Sequence, residues 1–353
     1  MGYAPTEIDD LNNLVLPKIL NKNKWVDLSL PLQKLTVAKR FLANLAKDPV
    51  ASGPQQTWAV QRANTGSAYW TELFGQDRTQ RTNIATRGSQ PWALASGNYI
   101  YDTREEMFQN PDVAVICDHL AMLAHSCRTT ALLLFEYGMW TSPTSSSERP
   151  KRISGIPHWL QRSATTGFNG GDPSGFSDGA GGLTVANVPN SRNWTGVYSE
   201  VTNDGLFAQM RRACLRCYFE APDPYPAANK AESNFIFYTD GETKTEVDTE
   251  LFTWNDNITD AGKFYGMGAF KGVPFDWVPA FEESGGPALD STRPVYGLNW
   301  ATWKLEFQMG SALTFGRPHQ AQGYEHNVRQ VDWDASCNLR CEDRRSNFIF
   351  YRA

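Results

Sequence analysis

From residue 113 to residue 134, apolar side chains return at steps of three and four: Val113, Ile116, Cys117, Leu120, Leu123, Ala124, Cys127, Ala131 and Leu134. That is the period of one helical face. Asn110 is placed to cap such a helix, Pro111 suits its first turn and Asp112 favours its positive end. Gly138 is the expected stop. At 1.5 Å per residue the rod is about 40 Å long. Ordinary helices are far shorter, so this one is long for a globular domain.

The sixty residues before it behave differently. Residues 51–110 show no helical period and are rich in Thr, Gln, Asn, Gly and Arg. Aromatic residues are spread widely: Trp58, Tyr69, Trp70, Phe74, Trp92 and Tyr99. Short strand-like pieces alternate with turn residues, as in a long extended excursion. Such a segment is odd inside a compact domain and makes sense if it packs on another subunit. It carries Arg62, Arg78, Arg81 and Arg87 against only Glu72 and Asp77 before residue 90. One reading is a solvated loop. The other is a basic arm, with Trp70 and Trp92 as further contact candidates, that meets acidic surface on a neighbour. Glu7-Ile8-Asp9-Asp10, or Glu242, Glu246, Asp248 and Glu250, would supply that surface. Each exposed pair contributes only about 0–1 kcal/mol, but symmetric repetition multiplies it.

Elsewhere, helices are expected over 35–47 and roughly 203–220, and strands alternate with short helices over 234–330. Two closing strands, 328–342 and 347–352, are joined by Asp343-Arg344-Arg345-Ser346. The class is α+β. With 353 residues and 41% hydrophobic content the chain can fill a sizeable core. A net charge of −5 gives no general attraction to nucleic acid or anionic lipid. No run of eighteen apolar residues suggests a membrane span. The first twenty residues are acidic at their start and lack the apolar run of a secretion signal. The six cysteines are therefore expected as reduced thiols, and the sequons at Asn193 and Asn257 carry little meaning.

Four cysteines form two close pairs, Cys214 with Cys217 and Cys337 with Cys341, which raises the question of a zinc or redox centre. At about 100° per residue, Leu206, Met210, Ala213, Cys214 and Cys217 share one apolar stripe, with Arg211, Arg212 and Arg216 outside it. Val331, Trp333, Ala335, Cys337, Leu339 and Cys341 alternate with polar residues, the pattern of a strand with one buried face. Four strand residues span about 13 Å, too far for both thiols to reach one zinc. The four read as structural core cysteines, and no metal or other cofactor is expected.

The five histidines do not form a zinc-protease pattern, and no nucleophile elbow or phosphate loop is present. The Gly-rich stretch 167–182 reads as a surface loop, although its Asp172 and Asp178 are candidate calcium ligands. Glu282 and Glu283, or Asp256 beside Trp254, are candidates for a glycosidase pair. A carbohydrate-active or zinc-dependent enzyme is thus the alternative of a different class.

The order of parts, and the stretches GIPHWLQ (155–161), NWTGVYSEVTNDGLFAQMRRA (193–213), FKGVPFDWVP (270–279), RPVYGLNW (293–300) and VDWDASCNLRCEDRRSNFIFY (331–351), resemble the major capsid protein of tailed bacteriophages, with its HK97-type fold. The resemblance covers roughly residues 50–353. It implies an N-arm with a short helix at 1–51 and an extended E-loop at 52–110 that lies across a neighbouring subunit. It implies a P-domain at 111–222 built on a long spine helix. An A-domain at about 223–330 would be interleaved with it, and the terminal strands at 331–353 would return to the P-domain. It further implies a non-enzymatic shell protein of the virion capsid that forms hexamers and pentamers in the host cytoplasm. Its partners would be other copies, a portal, separate scaffolding or decoration proteins, and packaged double-stranded DNA held non-specifically. Residues 51–110 contain no lysine, which argues against the covalent cross-linking some members use. An encapsulin-like compartment shell shares the fold and is the nearest alternative.

Overall fold

A computed structural model describes residues 28–42, 49–50, 53–66, 68–74, 83–104, 113–218, 234–254, 269–270, 272–283 and 291–353. The elements in chain order begin with α1 (Ala38–Leu42), β1 (Pro49–Val50), β2 (Gln55–Gln61), β3 (Ala85–Pro91) and β4 (Ala93–Asp102). The long helix α2 (Val113–Trp140), a single turn α3 (Ile156–Trp159), β5 (Trp194–Tyr198) and α4 (Leu206–Cys217) follow. Then come β6 (Phe235–Thr239), α5 (Gly241–Trp254), β7 (Ala269–Phe270), β8 (Val273–Trp277) and β9 (Val295–Asn299). The last are β10 (Trp303–Gln308), β11 (Thr314–Phe315), β12 (His319–Gln320), β13 (Val328–Cys341) and β14 (Phe348–Arg352).

The first sheet is organised by β13. β4 runs antiparallel along one of its edges, from Val328 opposite Asp102 to Cys337 opposite Ala93. β12, β11 and β10 follow one another along its other edge. The second sheet has the order β5-β14-β9-β6-β8-β7, with β14 parallel to β5 and antiparallel to β9. β2 and β3 form a separate two-stranded ribbon, which matches the extended excursion expected before the long helix.

Helix α2 joins the two sheets. Ala131, Phe135, Met139 and Trp140 are buried, Phe135 against Phe307 of the first sheet at 6.3 Å between rings. Trp140 meets Tyr238 and Tyr296 of the second sheet at 5.6 and 5.7 Å. A second core lies elsewhere on that sheet, where Phe207 and Met210 of α4 cluster with Phe237, Phe275, Phe348 and Phe350. Aromatic packing of this kind contributes beyond its buried area.

Several expectations need correction. Helix α2 does not stop at Gly138 but continues to Trp140; the glycine has room there, with Ile153 at ordinary contact distance from where a Cβ would sit. Leu134, placed on the apolar stripe, is exposed, and the buried stripe at this end follows steps of four through Ala131, Phe135 and Met139. The expected cap at Asn110 lies outside the described residues, as does the 43–47 part of the expected 35–47 helix. The second half of β13 is buried on both faces, not one: Ser336 and Asn338 are as covered as Cys337 and Leu339. Asn338 is tolerated because its amide donates to the Pro91 carbonyl at 2.8 Å and accepts from Ser154 N–H at 2.9 Å.

Three other buried polar side chains fix the irregular backbone. Glu136 of α2 accepts from the N–H groups of Thr36, Val37 and Ala38 and from the Trp140 indole. It thereby caps α1. Arg344, in the turn between β13 and β14, donates to the carbonyls of Trp159, Ser191 and Gly171 at 2.6–2.9 Å. Asn347 accepts from Asn299 N–H of the second sheet and from the Trp303 indole of the first. The Gly-rich stretch is accordingly not a simple surface loop. Ala180 is buried, and a Cβ at Gly181 (φ +63°) would lie 2.6 Å from the Trp159 ring.

Candidate interaction surfaces

The segment between β2 and β3 carries the two most exposed large apolar side chains of the described residues, Trp70 and Phe74. Trp70, Leu73 and Phe74 are 103%, 86% and 96% exposed, and Tyr69 is partly so. Exposed apolar side chains gathered in one segment are a feature that contact surfaces share. The ribbon's root is held firmly. Trp58 of β2 packs on Trp159 at 6.2 Å, Arg340 lies over the Trp58 ring, and Ser89 N–H donates to Gly181 at 2.8 Å.

Of the basic residues expected on this arm, Arg87 is exposed. Arg62 is half-buried and bonds to the Asn83 carbonyl at 3.0 Å. Arg78 and Arg81 lie outside the described residues. Trp92 is buried in its own chain, with its indole donating to Gly53 at 2.8 Å, whereas Trp70 is open.

The acidic residues expected as a counterpart sort by helical period. Glu242, Glu246 and Glu250 recur every four residues on α5 and, with Glu200, line an open cleft of about 640 Å³. Within the chain this row is already partly neutralised: Arg293 pairs with Glu242 and Glu246, and Arg352 with Glu246 at 3.0 Å. Asp248 is not among the cleft residues and pairs with Lys244 at 3.0 Å. Glu7-Ile8-Asp9-Asp10 lies outside the described residues.

The cysteines occupy apolar positions. Cys217, Cys337 and Cys341 are buried and Cys214 is half-buried against the same core as α4; all are free thiols. Burial pushes Cys337 up to about 12 and raises Cys217 and Cys341 well above the usual thiol range. These groups stay protonated at neutral pH, unlike the thiolates that bind metals. Among the described residues no group of three or more His, Cys, Asp or Glu side chains is placed to hold a metal. No helix among them is long and apolar enough to cross a membrane.

Three of the other candidate acids, Glu282, Asp172 and Asp178, have local structural partners. Glu282 accepts from Gly241 N–H and from the Trp277 indole at 3.0 Å, at the start of α5. Asp172 accepts from Val185 N–H at 3.0 Å, and Asp178 pairs with buried Arg149. Asp256 lies outside the described residues. His158 is fully buried against Phe176. Desolvation, aided by Arg149 and Arg344, lowers its pKa to about 3.

No protein-family model matches the chain, and no curated protein matches it. Comparison with solved structures is informative. A chain of the cyanophage A-1(L) capsid asymmetric unit matches with a TM-score of 0.61 at 13% identity, covering 95% of this chain and 98% of that one. The capsid of a native GTA particle gives 0.53 at 10% identity over 95% and 96% of the two chains. The capsid of Myoviridae phage XM1 gives 0.50 at 12% identity over 94% and 97%. The chain therefore has the fold of phage capsid proteins. In particular it is an α+β chain of the HK97-like kind, spanning nearly the full length of those subunits.

Proposed function

We propose that this chain is a major capsid protein: a non-enzymatic subunit that self-assembles into the hexamers and pentamers of an icosahedral phage head around double-stranded DNA. The carrying observation is the full-length match to capsid subunits, held together with an apolar ribbon segment that its own chain leaves uncovered. Assembly would occur in the host cytoplasm, with a portal and separate scaffolding or decoration proteins as further partners. Contact with DNA would be weak and non-specific, in keeping with the acidic net charge.

In this reading residues 1–51 are the N-arm and 52–110 the E-loop. Helix α2 is the spine of the P-domain, which extends over roughly 111–222, and the A-domain follows to about 330. The shared core of α4, β5, β6, β9 and β14 supports one refinement. The second sheet as a whole would be the A-domain, taking β5, α4 and β14 with it, while β13 stays with the spine. Buried apolar area would supply most of the contact energy.

The test is negative-stain microscopy and size-exclusion chromatography of the expressed chain. Hollow icosahedral particles are the expected result. A discrete monomer or dimer that turns over a substrate would overturn the proposal. Deleting residues 60–95 should leave a folded body that makes no shells; normal particles from that variant would show that the segment is not the E-loop.

A further inference from the structure

β4 is ten residues long, and over Ser96–Ile100 one row of its backbone groups meets no partner among the described residues. Its register with β13 fixes which residues those are. Thr103 N–H donates to Asn327, on the β13 side, and Leu94 N–H points the other way, to Pro150. Because backbone groups alternate sides along an antiparallel strand, the odd residues Ala95, Gly97, Tyr99 and Tyr101 bond to β13. Ser96, Asn98 and Ile100 present N–H and C=O outward, and no partner meets them among the described residues.

This edge lacks the features that normally blunt one. Ala93–Asp102 contains no lysine, no proline and no charge before its last residue, and its register with β13 is continuous. Long, uncharged edges are templates for strand pairing, and soluble monomers avoid them. Leu94 and Ile100 stand exposed beside it, an apolar margin for an incoming strand. The opposite face is partly covered, with Gly97 set so tightly against Trp333 that a Cβ would lie 2.5 Å from the indole.

The chain carries a matching edge. In β2 the even residues face β3, since Arg62 N–H donates to Ile84 and Ser89 N–H points away to Gly181. Thr57, Ala59 and Gln61 therefore present their backbone outward, and Gln55–Gln61 is also free of charge. A contact between two different edges is head-to-tail, the kind that closes into rings.

We propose that the open edge of β4 accepts a strand from a second copy of this chain, supplied by the outer edge of that copy's β2. The pairing extends the first sheet across the subunit boundary, with main-chain bonds giving affinity and Leu94 and Ile100 packing beside them. This inference rests on the shell reading for its setting, but it makes a separable prediction.

The experiment is residue-resolved amide hydrogen exchange on the full chain, before and after assembly. In the unassembled chain Ala95, Gly97, Tyr99 and Tyr101 exchange slowly, while Ser96, Asn98 and Ile100 exchange fast. On assembly the fast set, together with Thr57, Ala59 and Gln61, slows by at least about a hundredfold. Shells in which those amides stay fast overturn the strand pairing and leave the shell reading standing. A dimer in which they slow supports the pairing and overturns the shell. A chain that stays monomeric at all concentrations overturns both. In a second arm, Asn98→Pro removes one outward N–H, a position where an edge strand tolerates proline. The variant should fold, with its odd-numbered amides still slow, and assemble at least about tenfold less well. Normal assembly of the folded variant overturns the proposal.

Discussion

Glu136→Ala should be among the most damaging single substitutions in this chain. The Glu136 side chain is fully buried, and its two oxygens serve the N–H groups of Thr36, Val37 and Ala38, the Thr36 hydroxyl and the Trp140 indole. Truncation to alanine leaves three backbone donors and one indole donor without a partner in a region where Val37, Ala38 and Trp140 are at most 3% exposed. Each buried orphan costs about 1–3 kcal/mol, and water entering the small void recovers part of that. A net loss of about 3–5 kcal/mol follows, at the high end for one substitution. Glu136→Gln keeps the shape and one acceptor oxygen but turns an N–H₂ toward N–H donors, so about half that loss is expected. Urea denaturation of the unassembled chain gives the stability change, and amide exchange at Thr36, Val37 and Ala38 reports the local opening. A Glu136→Ala variant within about 1 kcal/mol of the parent, with those amides still protected, would refute the reasoning.

Three further outcomes are expected. Because His158 titrates near 3 in the fold and near 6.5 unfolded, the unfolded state binds the extra proton between those values. Stability should be flat above about pH 6.5 and fall by roughly 1.4 kcal/mol per pH unit down to about 3; denaturant midpoints at several pH values check this, and His158→Phe should lose that share of the slope. Cys214→Ala with Cys217→Ala should cost roughly 1–3 kcal/mol as small core cavities, with no zinc released by elemental analysis; stoichiometric zinc in the parent would reopen the metal reading. Arg344→Met should cost at least about 3 kcal/mol, since three carbonyls lose a buried donor, and thermal denaturation would show it as a lower midpoint.

Regular elements were legible because their signal is periodic. The steps of three and four mark α2, and strict alternation marks β13, since each reports one face against a core. The reading failed where a second face is covered by something distant in sequence. Ser336 and Asn338 look like the wet side of a strand until Ser311 supplies the partner of the first and residues 91 and 154 those of the second. Gly138 looks like a terminus because a glycine's signal is local, while the room beside Ile153 is not. The Gly-rich stretch looks like a surface loop because a backbone held by Arg344, more than 150 residues away, has no period at all. The exposed surfaces were half legible. Trp70 and Trp92 carry the same local pattern, yet one is open and the other donates to Gly53.

The strands that organise the two sheets stand last in the order of elements. β13 has β4 on one edge and β10, β11 and β12 on the other, and β14 sits between β5 and β9. β6, β7 and β8 pair among themselves and with β9, but β4, β5, β11 and β12 have no ladder partner before β13 or β14, so both cores close only with residues 328–352. Such non-local closure is slow, and it sets an order of events. The outward row of backbone groups on β4 becomes a fixed strand edge only when β13 has paired with it, so the edge proposed to receive a second copy forms no earlier than the first sheet itself.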